Sequence, residues 1–346
     1  MHKIDGDTAL HKRLRCGAWL ALTTASLMLA GTGCQQGDSV SVYTKARDLP
    51  IPDQVLKACI VAQAQEAPKP DVGLITTLRC SNSEGQKVKN LTGLQSLVNL
   101  EELHLAHNEI ADMAVIGKMT KLVVLDLGYN KISNVDFPPE KNTIERLNLD
   151  HNKIGSLTWL TPFTQLKILS LSHNELRLLD GVKRAPQLEQ LDVSHNKIEG
   201  VSILTEMQAL QQLDLGNNLI KDLSGIANHN DLHHLNLANN AIEDIQELND
   251  LTNLQELNLS SNSIEKLEPL NKLMELRRLQ LQKNKINSLQ PLLDLSQLES
   301  LNVESNASLS CESVEELLAV FGADVVQYEK CASPTAEKIM TPARGL

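Results

Sequence analysis

Leu254-Gln-Glu-Leu257-Asn-Leu259-Ser-Ser-Asn262-Ser-Ile264-Glu-Lys-Leu267-Glu-Pro-Leu270-Asn-Lys-Leu273 is one turn of a pattern that runs unbroken through the chain. Its line, L-x-x-L-x-L-x-x-N-x-I, starts at Leu100, Leu122, Ile144, Leu166, Leu188, Leu210, Leu232, Leu254 and Leu276, always 22 residues apart. A further strand begins at Leu298, and a degenerate opening coil at Ile75. Within Leu257-Asn-Leu259 the period is 2, so both leucines point to one side of a strand and Asn258 to the other. Asn262 stands at a tight turn, where its amide can satisfy backbone groups that the turn leaves unpaired. Ile264, Leu267, Leu270 and Leu273 bury a residue about every third place and carry the chain back. No single unit could cover its own leucines, whereas stacked units share a continuous core.

These residues resemble the leucine-rich-repeat family, in particular its bacterial 22-residue, internalin-like class. The resemblance covers Ile75 to Asn306 and implies an α/β repeat solenoid. It is a horseshoe with a parallel β-sheet on the concave face and short turns or 3-10 segments on the convex face, capped at both ends. Departures are local. Pro138 and Lys141 replace apolar positions beside a bulge at Phe137-Pro-Pro-Glu, and His229 replaces another.

Composition agrees with stacked aliphatic layers, since aromatics make up only 2% of the 346 residues. The net charge of -11 excludes a nucleic-acid partner, because phosphate binding needs a basic face. No C-x-x-C pair occurs, so zinc and thioredoxin-type chemistry are not expected.

The first residues read as an address. Lys3, Lys12, Arg13 and Arg15 precede an apolar run from Ala18 to Ala30 that is short for a membrane span. Gly31-Thr32-Gly33-Cys34 then resembles the lipobox of bacterial lipoproteins, with Gly31 where that family carries Leu. The resemblance implies a signal peptide over 1–33, a lipid on Cys34 and a polar tether over 34–50. Gln35 after the cysteine implies the outer membrane of a Gram-negative bacterium, on its periplasmic or its surface side. An ordinary cleaved signal with an incidental cysteine, or an uncleaved anchor, is the alternative.

A solenoid exposes its core at both ends unless capped. Over 51–74, Pro52 to Ile60 reads as a short helix with Asp53 near its N-cap and Leu56, Cys59 and Ile60 on one face. Cys80 occupies the inward position that Leu105 fills one coil later, which predicts a Cys59–Cys80 disulfide in an oxidising compartment. Over 307–331, Ser313-Val-Glu-Glu316 resembles a capping box opening a helix that Gly322 ends, and Val325-Val326 reads as a last strand. Cys311 and Cys331 bracket this unit and predict a second disulfide; free thiols are the alternative at either end. Residues 332–346 carry no pattern and read as a tail.

Two outward columns define the candidate ligand face. The first strand position contributes Glu102, Arg146, His234, Glu256 and Arg278, and the third His104, Asp126, Asn148, Asp192, Asp214, Asn236, Asn258 and Gln280. Recognition and simple solvation are the competing readings. Tyr129 is the only aromatic near that face, so a polar partner fits better than a tight apolar one. His107, His151, His173 and His195 form another column, just before the recurrent Asn. They could bind a transition metal or respond to pH near 6, although filling an exposed turn corner is the preferred reading. No nucleophile–base or metal constellation stands out, so neither enzyme activity nor a cofactor or resident metal is expected. The expected function is a membrane-anchored binding protein whose concave sheet recognises a protein, or a polysaccharide, in the bacterial envelope or at the cell surface. The alternative is a structural or assembly factor of the outer membrane.

Overall fold

The computed structural model describes residues 45–66, 72–82, 85–137 and 142–329. Among the described residues twelve strands, each paired in parallel only with its sequence neighbours, form one open sheet. They are β1 (Thr77–Arg79), β2 (Glu102–His104), β3 (Val124–Asp126), β4 (Arg146–Asn148), β5 (Ile168–Ser170) and β6 (Gln190–Asp192). The rest are β7 (Gln212–Asp214), β8 (His234–Asn236), β9 (Glu256–Asn258), β10 (Arg278–Gln280), β11 (Ser300–Asn302) and β12 (Val326–Gln327). Register follows the sequence period, so Leu257 lies opposite Leu279 and Asn258 opposite Gln280. The terminal coils are longer. Thr77 pairs with Glu102, and Leu301 with Val326, each 25 residues on.

Each strand from β1 to β11 buries its middle leucine, and the return path buries the others through short 3-10 turns such as Glu268–Leu270 and Gln290–Leu292. Full burial of a leucine contributes on the order of 1.5–3 kcal/mol. The recurrent Asn joins the coils. Asn196 Nδ2 donates to the carbonyls of Leu171 (2.9 Å), Val193 (3.0 Å) and Ser194 (3.0 Å), and its Oδ1 accepts the Leu176 N–H at 2.9 Å. The same four-bond pattern recurs from Asn108 to Asn306. Thus each amide binds its own turn to the preceding coil.

His229 sits in a column that holds Phe163 and Leu273 in other coils, and it is 1% exposed. Its Nδ1 lies 2.8 Å from the Ile226 carbonyl and its Nε2 3.0 Å from the Leu204 carbonyl. The polar ring therefore replaces an apolar one by bridging two turns. At the other irregular coil, Phe137 packs edge-on against Phe163 at 4.8 Å, and Trp159 does the same at 5.5 Å. Pro138 and Lys141, where the bulge is expected, lie outside the described residues.

The N-terminal cap is larger than the sequence indicates. Helix α1 (Gln54–Glu66) runs six residues beyond Ile60, adding buried Ala64 to Leu56 and Ile60 at spacings of 4. Ala46 and Leu49 are also buried in the core, so the chain is already packed by residues 45–50, where the sequence reads as tether. Asp53 caps α1 as expected, accepting from Val55 and Leu56 at 3.0 Å through Oδ1. Its Oδ2 accepts from Lys89 (2.8 Å) and Asn90 (3.1 Å), pinning the helix to the next coil. Burial favours the neutral acid, but the N–H groups of Lys89, Leu56, Asn90 and Val55 outweigh it and hold the carboxyl below its ordinary pKa of 3.8. Its contribution to stability is present above that pH and lost as pH falls through the lower folded value.

Gln63 of α1 covers the open edge of β1, donating to the Thr77 carbonyl and accepting the Arg79 N–H. An edge strand so covered cannot pair with another chain there. The Cys59–Cys80 disulfide is present, with Cα atoms 6.0 Å apart. At the other end, helix α2 (Cys311–Phe321) is capped by Ser310, which accepts the Ser313 N–H at 3.1 Å, and ends at Gly322 with φ 82°. Ser313 is thus a first-turn residue and not the cap, because the chain turns helical three residues earlier than the Ser-Val-Glu-Glu motif implies. Ser310→Ala is expected to cost about 1 kcal/mol, read as a shift in urea midpoint, while Ser313→Ala changes stability by less. Cys331, Cys34 and the segments 1–33 and 332–346 lie outside the described residues, and with them the expected second disulfide and signal peptide.

Candidate functional site

Residues at the first and third position of β1 to β10 face the concave side, as the alternating burial shows. The two positions have different duties. At the third, the side-chain oxygen accepts the backbone N–H two residues on, closing the turn as the strand ends. Asp126 does this for Gly128, Asn148 for Asp150, Asp192 for Ser194 and Asp214 for Gly216. Asn236, Asn258 and Asn302 repeat it. His104 and Gln280 stand outside this pattern, and Ser170 departs from it informatively. Its hydroxyl donates to Asp150 Oδ1 (2.6 Å), and that same carboxylate, from the preceding coil, accepts the Ser172 N–H at 2.7 Å. A preference for Asp and Asn in this column therefore has a folding cause.

The first position carries no such duty. Glu102, Val124, Arg146, Ile168, Gln190, Gln212, His234, Glu256, Arg278 and Ser300 vary in size and charge. Charge gathers toward both ends. Glu102 lies 3.2 Å from Arg79 and 3.6 Å from His104, whose other nitrogen is 3.9 Å from Asp126. Glu256 is held between His234, at 3.2 Å, and Arg278. Burial first, then the nearby His233 and Arg278, push the His234 pKa below 6.5. Between β5 and β10 the sheet curves into a trough of about 540 Å³, floored by strand residues from Ile168 to Gln280. The structure thus brings Asp192, Asp214, His234, Asn236, Glu256, Asn258, Arg278 and Gln280 into one concavity, and leaves Glu102, His104, Asp126, Arg146 and Asn148 outside it.

The trough floor is weakly acidic. Burial raises the pKa of Asp214; hydrogen bonds from Asn236 and Gly216 oppose the shift, and the neighbouring Asp192 adds to it. Burial raises Asp150 similarly. A raised folded value means that the stabilising contribution is present below pH 3.8 and lost as pH rises through the folded pKa. Asp214→Asn keeps the oxygen that Gly216 needs but sets an amide N–H beside Asn236 Nδ2, which lies 3.0 Å from both carboxylate oxygens. The parent is expected to gain stability relative to this variant as pH falls from 7 toward 4 in parallel thermal melts. Among the described residues no three His, Cys, Asp or Glu side chains converge to hold a metal ion.

On the rim of this face lies the ring column. His107, Tyr129, His151, His173 and His195 all have left-handed backbone, with φ between 51° and 59°. Their rings stack at centroid distances of 4.2, 3.9, 4.0 and 3.9 Å, within 16° of parallel. The spacing is closer than the sheet repeat alone implies, and Tyr129 fills the gap that the histidines leave. The 22-residue register, which sets Tyr129 just before Asn130, places it in this column.

Comparison with known proteins agrees with this geometry. Models of leucine-rich repeats match residues 98–140, 186–228 and 231–272, and a further one matches 142–198. No curated protein sequence matches the chain significantly. An internalin, InlF, from Listeria monocytogenes superposes with a TM-score of 0.67 at 24% identity, over 84% of this chain and 94% of that one. The functional domain of InlJ from the same organism, which includes a cysteine ladder, gives 0.63 at 22%, over 81% and 64%. A leucine-rich-repeat protein of Leptospira interrogans gives 0.62 at 21%, over 74% and 72%. The chain belongs to the leucine-rich-repeat family, and its fold is that of the bacterial internalins.

Proposed function

We propose that the chain is an exported protein, anchored to the outer membrane of a Gram-negative bacterium through a lipid on Cys34, that binds a protein partner in its concave trough. The observation that carries the binding role is the first-position column. The repeat asks nothing of that position beyond an extended backbone, so the run Ile168, Gln190, Gln212, His234, Glu256, Arg278 is available to a ligand. Its mixed charges and amides fit a polar partner segment laid across the strands, with a carboxylate on the partner facing Arg278 and a cation facing Glu256. Binding is proposed rather than catalysis because the third-position groups close turns and the first-position groups are spread across the strands. They do not converge on one reacting atom.

Photoreactive residues at Gln190, Gln212 and Gln280 in living cells, followed by mass spectrometry, test the role of the trough. These positions should capture one defined protein species. Capture only from the convex side, with none from the trough, would refute the concave site. Loss of labelling by a fatty-acid probe in Cys34→Ala tests the anchor, and protease treatment of intact cells decides which way the protein faces.

A further inference from the structure

The stacked ring column lies outside the trough and has no part in that role. Its residues stand at turns whose backbone would suit Asn or Gly, and the same corner holds Asn217 and Asn239 in later coils. Five consecutive coils carry rings instead, in one row about 16 Å long. Stacking consumes the ring faces and leaves the edges to solvent. The row therefore offers hydrogen-bonding nitrogens and one phenol, and no flat platform for sugar or base stacking. Near-parallel rings about 4 Å apart also aim their lone pairs side by side rather than at a common point, which disfavours chelation of one metal ion.

We propose that this row is a second binding site, an acid-activated ridge for a linear glycan that carries a carboxylate or sulfate at regular intervals. Imidazole is the side chain whose charge ordinarily changes between pH 5 and 8, and once protonated it only donates hydrogen bonds. Its partner must then be an acceptor, and an anionic one is favoured. Two imidazolium rings 4 Å apart repel, which weakens proton uptake about fivefold per charged neighbour in water. Burial, and then His173, His195 and His107, already depress the central His151. An anion chain laid along the row relieves the repulsion between charged rings. Proton uptake and anion binding therefore support one another.

The surroundings set the polarity of the ridge. On its outer side Lys131, Lys153 and Lys197 follow two residues after the rings, interrupted by Glu109 and Glu175. Glu109 is bridged to Lys131 at 3.0 Å and to Lys89 at 3.4 Å. On the concave side stand Asp126, Asp150, Asp192 and Asp214, the last within electrostatic reach of His195. Asn217 closes the far end, its amide 3.1 Å from His195 Nε2. An anionic chain is thus guided to the lysine side and away from the trough.

Fluorescence anisotropy of the full chain with labelled polygalacturonate and heparin, at pH 5.5 and 7.5, tests the proposal. Affinity for at least one should rise tenfold or more at pH 5.5. The double variant H151N/H173N uses a residue that the corner already accepts, and it should bind at pH 5.5 as weakly as the parent does at pH 7.5. Its unfolding midpoint reports that it is folded. The two probes distinguish carboxylate from sulfate as the preferred anion. Binding that ignores pH, or that survives in the folded double variant, would overturn the ridge. Equal binding of uncharged dextran would overturn the charge requirement. Equal binding of single-stranded DNA of matched charge would overturn the assignment to a glycan.

Discussion

Asn196→Ala is expected to lower the stability of the repeat domain by about 3–5 kcal/mol, read from urea unfolding by circular dichroism. The side chain is 9% exposed, and water cannot replace what is lost. Truncation leaves the carbonyls of Leu171, Val193 and Ser194 without their shared donor and the Leu176 N–H without its acceptor. Each buried orphan costs about 1–3 kcal/mol, tempered where the neighbouring coils relax. Asn196→Asp should be worse at neutral pH, although it is nearly isosteric. A carboxylate keeps the acceptor but has no donor, and it would sit against three carbonyl oxygens. A loss under about 1 kcal/mol for alanine would show that the coils are held by leucine packing alone. Because each coil touches only its neighbours, the damage should centre on β5 to β7 in hydrogen exchange.

Cys59→Ser with Cys80→Ser is expected to cost about 3 kcal/mol, and to expose the N-terminal cap before the rest of the solenoid unfolds. The bridge closes a loop of 21 residues, for which restriction of the unfolded chain gives a value of that size. It also ties α1, which covers the first coil, to the residue after β1. Limited proteolysis should cut first near α1 in the variant and in the reduced parent. Unfolding in one step at an unchanged urea midpoint would show that Asp53 and Gln63 hold the cap without the bridge.

The strand register, the Asn at each turn, the Cys59–Cys80 bridge and the end of α2 at Gly322 are legible in the sequence, because each follows from a fixed period or a strong local preference. Other features depend on distance across coils. An Asp or Asn facing outward from a strand looks the same whether it meets water, a ligand or the N–H two residues on; only geometry assigns Asp192 and Asp214 to their turns. Asp150 standing in for Ser170 is invisible without the pairing of adjacent coils. The extent of α1 is missed since past Val61 the only apolar side chains are the small Ala62 and Ala64, too slight a stripe to mark where the helix ends. His229 reads as a defect until two carbonyls are found beside it. The concave positions are readable from the period, while which of them share the trough, and how the two columns divide their work, are not.

That division has an evolutionary reading. Asp and Asn present the same oxygen to the turn, so either a carboxylate or an amide can close it. Three single exchanges, at Asp126, Asp192 and Asp214, would erase every negative charge in the third-position column without moving the backbone. The electrostatic character of the face can therefore drift or be selected independently of the architecture beneath it. A lineage could adapt this scaffold to a new partner by one-atom substitutions while its framework stays intact.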